Sequence, residues 1–278
     1  MNTAVPEFSN KFLTGNEYQS PGFQPGLFAR FFPSLLFYSR LFGGPVFHLC
    51  RIAAKGLCDD AAWTYASVEV SDLVERLGGK ILIEGMDAIN AVDGPCLFVA
   101  NHMSTLETFM LPGIIRPRRP VTFVVKKSLV TLPFFGAVMR SREPVVVGRS
   151  NPREDLARVL VEGKERLARG ISIIIFPQST RSPDFEPQRF NTIGIKLALH
   201  ADVPVVPLAL KTDVWGQGKK IKEFGKIRPE LTVRYRFANP LRITGRGKEE
   251  HAVICDYIAR SLQTWRQEDA VRLKSLEV

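Results

Sequence analysis

The chemistry in this chain concentrates at Asn101-His102-Met103-Ser104-Thr105-Leu106-Glu107. An imidazole takes a proton from an alcohol near neutral pH, and a carboxylate on its other ring nitrogen fixes the tautomer and steadies the imidazolium that forms. His102 and Glu107 are the residue types for such a pair, His102 as general base and Glu107 as its orienting partner. Their spacing constrains the backbone. Five residues along one continuous helix is a rotation of about 140°, which turns the two side chains apart. They meet only if His102 lies in a turn and Glu107 in the first turn of the helix that follows. The apolar run Cys96-Leu97-Phe98-Val99-Ala100, directly before them, reads as a short buried strand, so a strand, a turn and a helix start are required.

A second polar loop, Phe176-Pro177-Gln178-Ser179-Thr180-Arg181-Ser182, follows another apolar run, Ile171-Ser172-Ile173-Ile174-Ile175. A lone histidine near an acid is more often a surface pair or a satisfied core group. Two reactive loops leaving the ends of two buried strands change that balance, because open α/β sheets build their sites there. The sequence holds no Gly-x-Ser-x-Gly elbow, no HExxH, no Walker A loop and no Gly-x-Gly-x-x-Gly. Cys50, Cys58, Cys96 and Cys255 form neither a CxxC pair nor zinc-ligand spacing with the four histidines. The expectation is a site without metal or resident cofactor, with reduced thiols in a cytosolic compartment.

The elements that must position these loops follow from patterning. From about residue 80, short β-rich runs alternate with helix-period segments, which predicts an α/β fold with a mixed, mostly parallel central sheet flanked by helices. Strands are expected at 80–84, 96–100, 121–125, 171–176, 203–210 and 231–237, and helices at 192–200 and 249–267. The clearest helix starts at Asn151, which caps it, with Pro152 at the first position and Glu154 at the third. Leu156, Val159, Leu160 and Leu167 give it an apolar stripe, Glu154/Arg158 and Glu162/Arg166 its exposed pairs, and Gly170 its end. Three regions are expected: a polar N-terminal segment over 1–26, a helical hairpin over 27–65 and the α/β domain over 66–278.

Residues 27–52 are crowded with Phe and Leu yet interrupted by Arg30, Arg40 and Arg51, by Pro33 and Pro45 and by Gly43-Gly44. No uncharged apolar stretch there approaches the ~18 residues of a spanning helix. The pattern suggests an amphipathic hairpin lying in a membrane interface, against the plainer reading of two core-packing helices. Lys and Arg number 38 against 28 Asp and Glu, a net charge of +10, and 219–248 holds ten bases against Glu223 and Glu230. Such a bias suits an anionic membrane surface or a phosphorylated substrate. Nucleic acid rests on the charge alone, with no recognition motif behind it.

These motifs together resemble the glycerolipid acyltransferase family, whose best-known members are the 1-acylglycerol-3-phosphate acyltransferases. That family carries Asn-His, four residues, then Asp, and later Phe-Pro-Glu-Gly-Thr-Arg-Ser. Here Asn101-His102…Glu107 and Phe176-Pro177-Gln178-Ser179-Thr180-Arg181-Ser182 stand in those places. Between them Lys126-Lys127-Ser128-Leu129 leads to Pro133-Phe134-Phe135-Gly136 and Arg149, and Val203-Pro204-Val205-Val206-Pro207 matches the last motif. The four occur in order over roughly residues 80 to 240. The resemblance implies acyl transfer from acyl-CoA or acyl carrier protein to a hydroxyl of a lysophospholipid or glycerol phosphate, in phospholipid biosynthesis at the cytosolic membrane face. His102 would be the base and Glu107 its partner. Arg181 is the first candidate for the acceptor's phosphate, then Lys127 and Arg149, with Gln178, Ser179 and Thr180 in the same site; Leu132, Phe134 and Phe135 suit an acyl channel. Glu107 for Asp, Gln178 for Glu and Ser179 for Gly depart from the family pattern. They motivate one alternative from another class, a non-catalytic lipid-binding protein that keeps the fold.

Overall fold

The computed structural model describes residues 10–13, 15–178 and 180–276. Their strands form one sheet in the order β1-β2-β8-β7-β3-β6-β4-β5. These are β1 (Tyr18–Gln19), β2 (Lys80–Glu84), β3 (Leu97–Ala100), β4 (Val121–Lys126), β5 (Val145–Val147), β6 (Ser172–Ile175), β7 (Val205–Lys211) and β8 (Thr232–Phe237). The neighbours β7, β3, β6, β4 and β5 are parallel; β8 turns antiparallel to β7 and β2 lies parallel to β8. Every residue of β3, β6 and β7 is buried, as a parallel sheet covered on both faces requires. The expected mixed, mostly parallel sheet flanked by helices is the fold that forms.

The helices are α1 (Leu27–Phe31), α2 (Pro33–Leu41), α3 (Phe47–Ala53), α4 (Asp60–Arg76), α5 (Asp87–Asn90), α6 (Leu106–Ile115), α7 (Lys127–Thr131), α8 (Phe135–Ser141), α9 (Pro152–Ala168), α10 (Ile193–Ala201) and α11 (Lys248–Leu276). At α9, Asn151 Oδ1 accepts from Arg153 N at 3.1 Å, as a cap should. The exposed pairs differ from those expected. Glu154 Oε1 accepts from the Asn151 amide at 2.7 Å, Arg158 reaches Glu162 at 4.0 Å, and Arg166 turns to Glu165 and the Glu143 carbonyl. The reason is local: Glu154 completes the cap, and Arg166 lies in the last turn beside the start of β5's loop.

Helices α4 and α6 pack through an internal polar contact. Pro112 sits inside α6 and interrupts its ladder, and Gly113 N donates to Ser67 Oγ of α4 at 2.7 Å. Ser67 in turn donates to Phe109 O and Met110 O, so one hydroxyl bridges the break. A Cβ on Gly113 would stand 2.9 Å from Ser67 Oγ, which is why the position holds glycine. Lower on α4, buried Glu75 collects Lys11 Nζ at 2.7 Å, Tyr18 OH at 2.6 Å and Ser20 Oγ at 2.8 Å. The polar N-terminal segment is therefore tied into the fold by a charge that would otherwise be buried alone.

Between α2 and α3 a π-helical turn at Phe42–Val46 carries Gly43-Gly44-Pro45. The inner faces of α2 and α3 bury Phe37, Leu41, Leu49 and Ala53, while Leu27, Phe28, Phe31, Phe32, Leu35 and Phe47 face outward. α4 begins at Asp60, capped by Asp59 through Ala62 N at 2.8 Å, so positions 60–65 belong to a helix that packs into the core. No helix among the described residues is long and apolar enough to cross a membrane.

Candidate active site

Because β3, β6, β4, β5 and β7 are parallel, their carboxyl ends share one edge of the sheet. His102 leaves β3, Gln178 and Arg181 leave β6, Lys127 leaves β4, Arg149 leaves β5 and Thr212 leaves β7. Chain topology thus gathers positions more than 100 residues apart in the sequence, as open α/β sheets do at their ligand crevices.

His102 sits in the turn after β3 and Glu107 is the second residue of α6. His102 Nδ1 lies 2.9 Å from Glu107 Oε1. The same oxygen accepts from Met103 N at 2.7 Å and Ser104 N at 2.8 Å. Glu107 Oε2 accepts from Ser104 Oγ at 2.9 Å and from Thr212 Oγ1. Glu107 is 0% exposed, so the carboxylate is satisfied entirely by protein donors. Burial alone would raise its pKa; the hydrogen bond and charge of His102, then the Thr212 hydroxyl, outweigh that and hold it below the usual carboxylate range. An ionised carboxylate only accepts, so Nδ1 carries a proton, and in the neutral imidazole Nε2 is the nitrogen with the free lone pair. The imidazole also lies on the Phe176 ring, with centroids 4.4 Å apart at 15°, which leaves it one in-plane orientation.

The second motif holds the first by its backbone. His102 N donates to Gln178 Oε1 at 2.6 Å, and Ser182 N donates to His102 O at 2.9 Å. Both peptide groups of His102 are therefore fixed by the loop after β6. Gln178 is buried, and its amide oxygen faces the His102 turn. Ser179 lies outside the described residues. Thr180 accepts from Lys222 Nζ at 3.2 Å, and a cavity of about 180 Å³ is lined by Gln178, Thr180, Ser182, Asp184, Glu186 and Arg189.

Arg181 donates to Thr105 Oγ1, at the start of α6, and to Glu223. Arg149 is near enough for the two guanidiniums to repel: desolvation lowers the Arg149 pKa, Asp155 opposes the shift, and Arg181 adds to it. Arg149 has φ 62°, a left-handed conformation pinned by its N–H donating to Asp155 Oδ2 at 2.8 Å. Lys127 is exposed at the first position of α7. Phe135 packs toward Phe109, with centroids 6.2 Å apart, and Phe109 stacks on Trp215 at 5.9 Å. Phe134 is 85% exposed at φ 61°, a strained backbone for an aromatic residue. Gly136 must be glycine, since a Cβ would meet Val130 O at 2.6 Å. Part of the basic run 219–248 is paired: Arg234 with Glu268 and Arg236 with Glu84 against the fold, and Arg242 with Asp202 at the surface.

Ser104, Thr212 and Gln217 are the site residues the sequence reading missed. Ser104-Thr105-Leu106-Glu107 is an S-x-x-E capping pattern, and Ser104 Oγ accepts from Leu106 N at 3.0 Å while Glu107 reaches back to Ser104 N. That signal was present. Thr212, and Gln217 with its 3.3 Å bond to Met103 O, are brought in by β7 and its loop and carry no local signal.

An oriented imidazole thus stands at the carboxyl edge of a parallel sheet in an α/β fold, the geometry that a general base requires. Comparison with known proteins shows what the chain is similar to. Residues 80–211 match the family model described as Acyltransferase. A 1-acyl-sn-glycerol-3-phosphate acyltransferase of Pseudomonas aeruginosa is 36% identical over 159 residues, 57% of this chain and 57% of that protein. One from Cocos nucifera is 27% identical over 157 residues, 53% of this chain and 49% of that protein. The chain thus spans about half the length of these relatives. In fold it resembles the crystal structure of the 1-acyl-sn-glycerophosphate (LPA) acyltransferase PlsC from Thermotoga maritima, with TM-score 0.59 at 22% identity over 85% of this chain and 96% of that one. All four motifs lie within the residues that match the family model.

Proposed function

We propose that the chain transfers a fatty acyl group from an acyl thioester, acyl-CoA or acyl carrier protein, to a hydroxyl of a lysophospholipid or glycerol phosphate, in phospholipid biosynthesis. The observation that carries this reading is the His102–Glu107 pair inside the residues that match the Acyltransferase model. His102 Nε2 takes the acceptor's hydroxyl proton as the oxygen attacks the thioester carbonyl. The C–S bond then breaks, and the imidazolium returns the proton to the departing thiolate. The thioester is already activated, so no covalent acyl-enzyme is required. Arg181, with Arg149 and Lys127 on the same sheet edge, holds the acceptor's phosphate; a guanidinium suits that task because its donors lie in one plane. The test is thiol release from palmitoyl-CoA, and from a palmitoyl carrier protein, with lysophosphatidate, glycerol 3-phosphate or no acceptor. Acceptor-dependent release is expected, and release that is absent with both donors would leave a lipid-binding protein.

The same reading puts the chain on the surface of an anionic membrane, at its cytosolic face. Leu27, Phe31 and Leu35 are 76%, 71% and 61% exposed, with Arg30 and Arg40 exposed beside them and Phe134 bare on its own loop. Removing the whole segment is a poor test, because Phe37 and Leu41 are core residues and Tyr18 and Ser20 satisfy Glu75. Point changes spare those contacts. The triple variant Leu27→Ser, Phe31→Ser, Leu35→Ser is expected to lower sedimentation with phosphatidylglycerol-containing liposomes by more than tenfold, since each apolar side chain contributes roughly 1.5 kcal/mol when buried. Undiminished sedimentation would remove this surface from the proposal.

A further inference from the structure

Arg181 is mostly covered and already partnered. The carboxylate of Glu223, 42 positions along the chain, pairs with its Nη2, while Nη1 is taken by Thr105. Glu223 belongs to the loop 216–226, which closes on itself: Gly216 N donates to Lys226 O at 3.0 Å, and Trp215 bridges Ile227. The two ends approach so nearly that a Cβ on Gly225 would meet Gly216 O at 1.8 Å. Its inner side rests on the site through Lys222 on Thr180 and Gln217 on Met103 O, and Trp215 Nε1 at its base donates to Glu223 O at 2.8 Å. Its outer side is held by α2 and the turn after it. Tyr38 OH donates to Gly225 O at 2.7 Å, and the Phe224 ring lies 5.3 Å from Tyr38 and 5.6 Å from Phe42.

This rests on the assignment of Arg181 to the acceptor's phosphate. We propose that Glu223 is an internal competitor for that phosphate and sets specificity: it occupies Arg181 until a dianionic phosphomonoester displaces it. The argument is electrostatic. A carboxylate carries one negative charge, and so does a phosphodiester, so a phosphodiester acceptor gains little by replacing it. A phosphomonoester carries up to two, with three acceptor oxygens, and wins the exchange. Glu223 stays ionised: desolvation pushes its carboxyl up, but the bond and charge of Arg181 hold it below the usual range. Its side chain is half exposed against 18% for Arg181, so the anion that leaves moves into water while the cation stays in place.

The discriminating variant is Glu223→Gln, which keeps the shape and removes the charge. For lysophosphatidate, a phosphomonoester, KM is expected to fall at least threefold with kcat within twofold of wild type. For lysophosphatidylglycerol, a phosphodiester, kcat/KM is expected to rise at least tenfold, so discrimination narrows. Inorganic phosphate should inhibit the variant at a concentration at least threefold lower. A raised lysophosphatidate KM, or no change in either acceptor, would overturn the competitor role. Arg181→Ala run alongside separates the causes: if it raises acceptor KM while Glu223→Gln changes nothing, only the competition is wrong. If neither moves acceptor KM, the phosphate assignment falls and the competition with it.

Discussion

His102→Ala is expected to lower kcat by about 10²–10⁴-fold, the range that a positioned general base contributes. That is roughly 2.7–5.5 kcal/mol of barrier. Acceptor and donor KM should change little, because the imidazole is needed when the proton moves rather than when the substrates bind. Glu107→Gln should cost less, since the amide oxygen still accepts one bond while the charge that steadies the imidazolium is lost. The two effects should not add. Glu107 acts through His102, so the double variant should be no slower than His102→Ala alone, and rates of the four proteins in one assay measure this directly. An additive double variant would mean that Glu107 meets the substrate independently. Glu107→Ala is the wrong choice for this test, because it strands the Met103 and Ser104 N–H groups in a dry site. Stability offers an independent readout with a defined sign. The folded pKa of Glu107 lies below its unfolded value of about 4.3, so the group adds stability that is full above that value. The contribution is lost as pH falls through the lower folded pKa, and Glu107→Gln should remove that part of the acid limb.

Arg181→Ala is expected to raise acceptor KM by about 10–150-fold, the equivalent of roughly 1.5–3 kcal/mol for hydrogen bonds to a charged group. Donor KM should stay where it is. Arg181→Lys should recover only part of the loss, because an ammonium lacks the planar pair of donors that a phosphate accepts side by side. Initial-rate kinetics with each substrate varied in turn decide the matter. If donor KM alone moved, Arg181 would serve the thioester's pantetheine or nucleotide phosphate instead.

The parts of this architecture legible in the sequence are those whose signal is local. Ile173-Ile174-Ile175 and Leu97-Phe98-Val99 are continuous apolar runs with polar loops after them, and both form buried strands whose ends carry the site. The spacing of His102 and Glu107 required a turn and a helix start, and α6 begins at Leu106. Other parts were hidden by size or by context. Val145–Val147 and Tyr18–Gln19 are too short to show an alternation, yet they pair at the two edges of the sheet. α4 was missed because its buried face carries Thr64, Ser67, Ser71 and Glu75, which blunt the apolar period. Each of Ser67, Ser71 and Glu75 has a partner in the fold, on α6, in α4 itself or on the N-terminal segment. The basic run at 219–248 was legible as charge, but not as pairs, since Glu268, Glu84 and Asp202 come from distant elements.

Asn101 spans the gap between β3 and β7 with its side chain: its amide nitrogen donates to Leu210 O at 2.8 Å and Leu210 N donates to its Oδ1 at 2.9 Å. The amide imitates one more rung of the ladder after β3 has ended, so it pins which β7 residue stands opposite the His102 turn. Side chains alternate along a strand, and a slip of one place exchanges faces. In the observed frame Thr212 meets Glu107, while buried Lys211 turns the other way to Asp213 and Asp269. Slide β7 by one residue and an ammonium or a second carboxylate arrives where the hydroxyl stood. The first would draw Glu107 away from His102, and the second would crowd it with like charge. Asn101 thus acts as a reading-frame marker for the strand, keeping the neutral donor, rather than either charged neighbour, against Glu107.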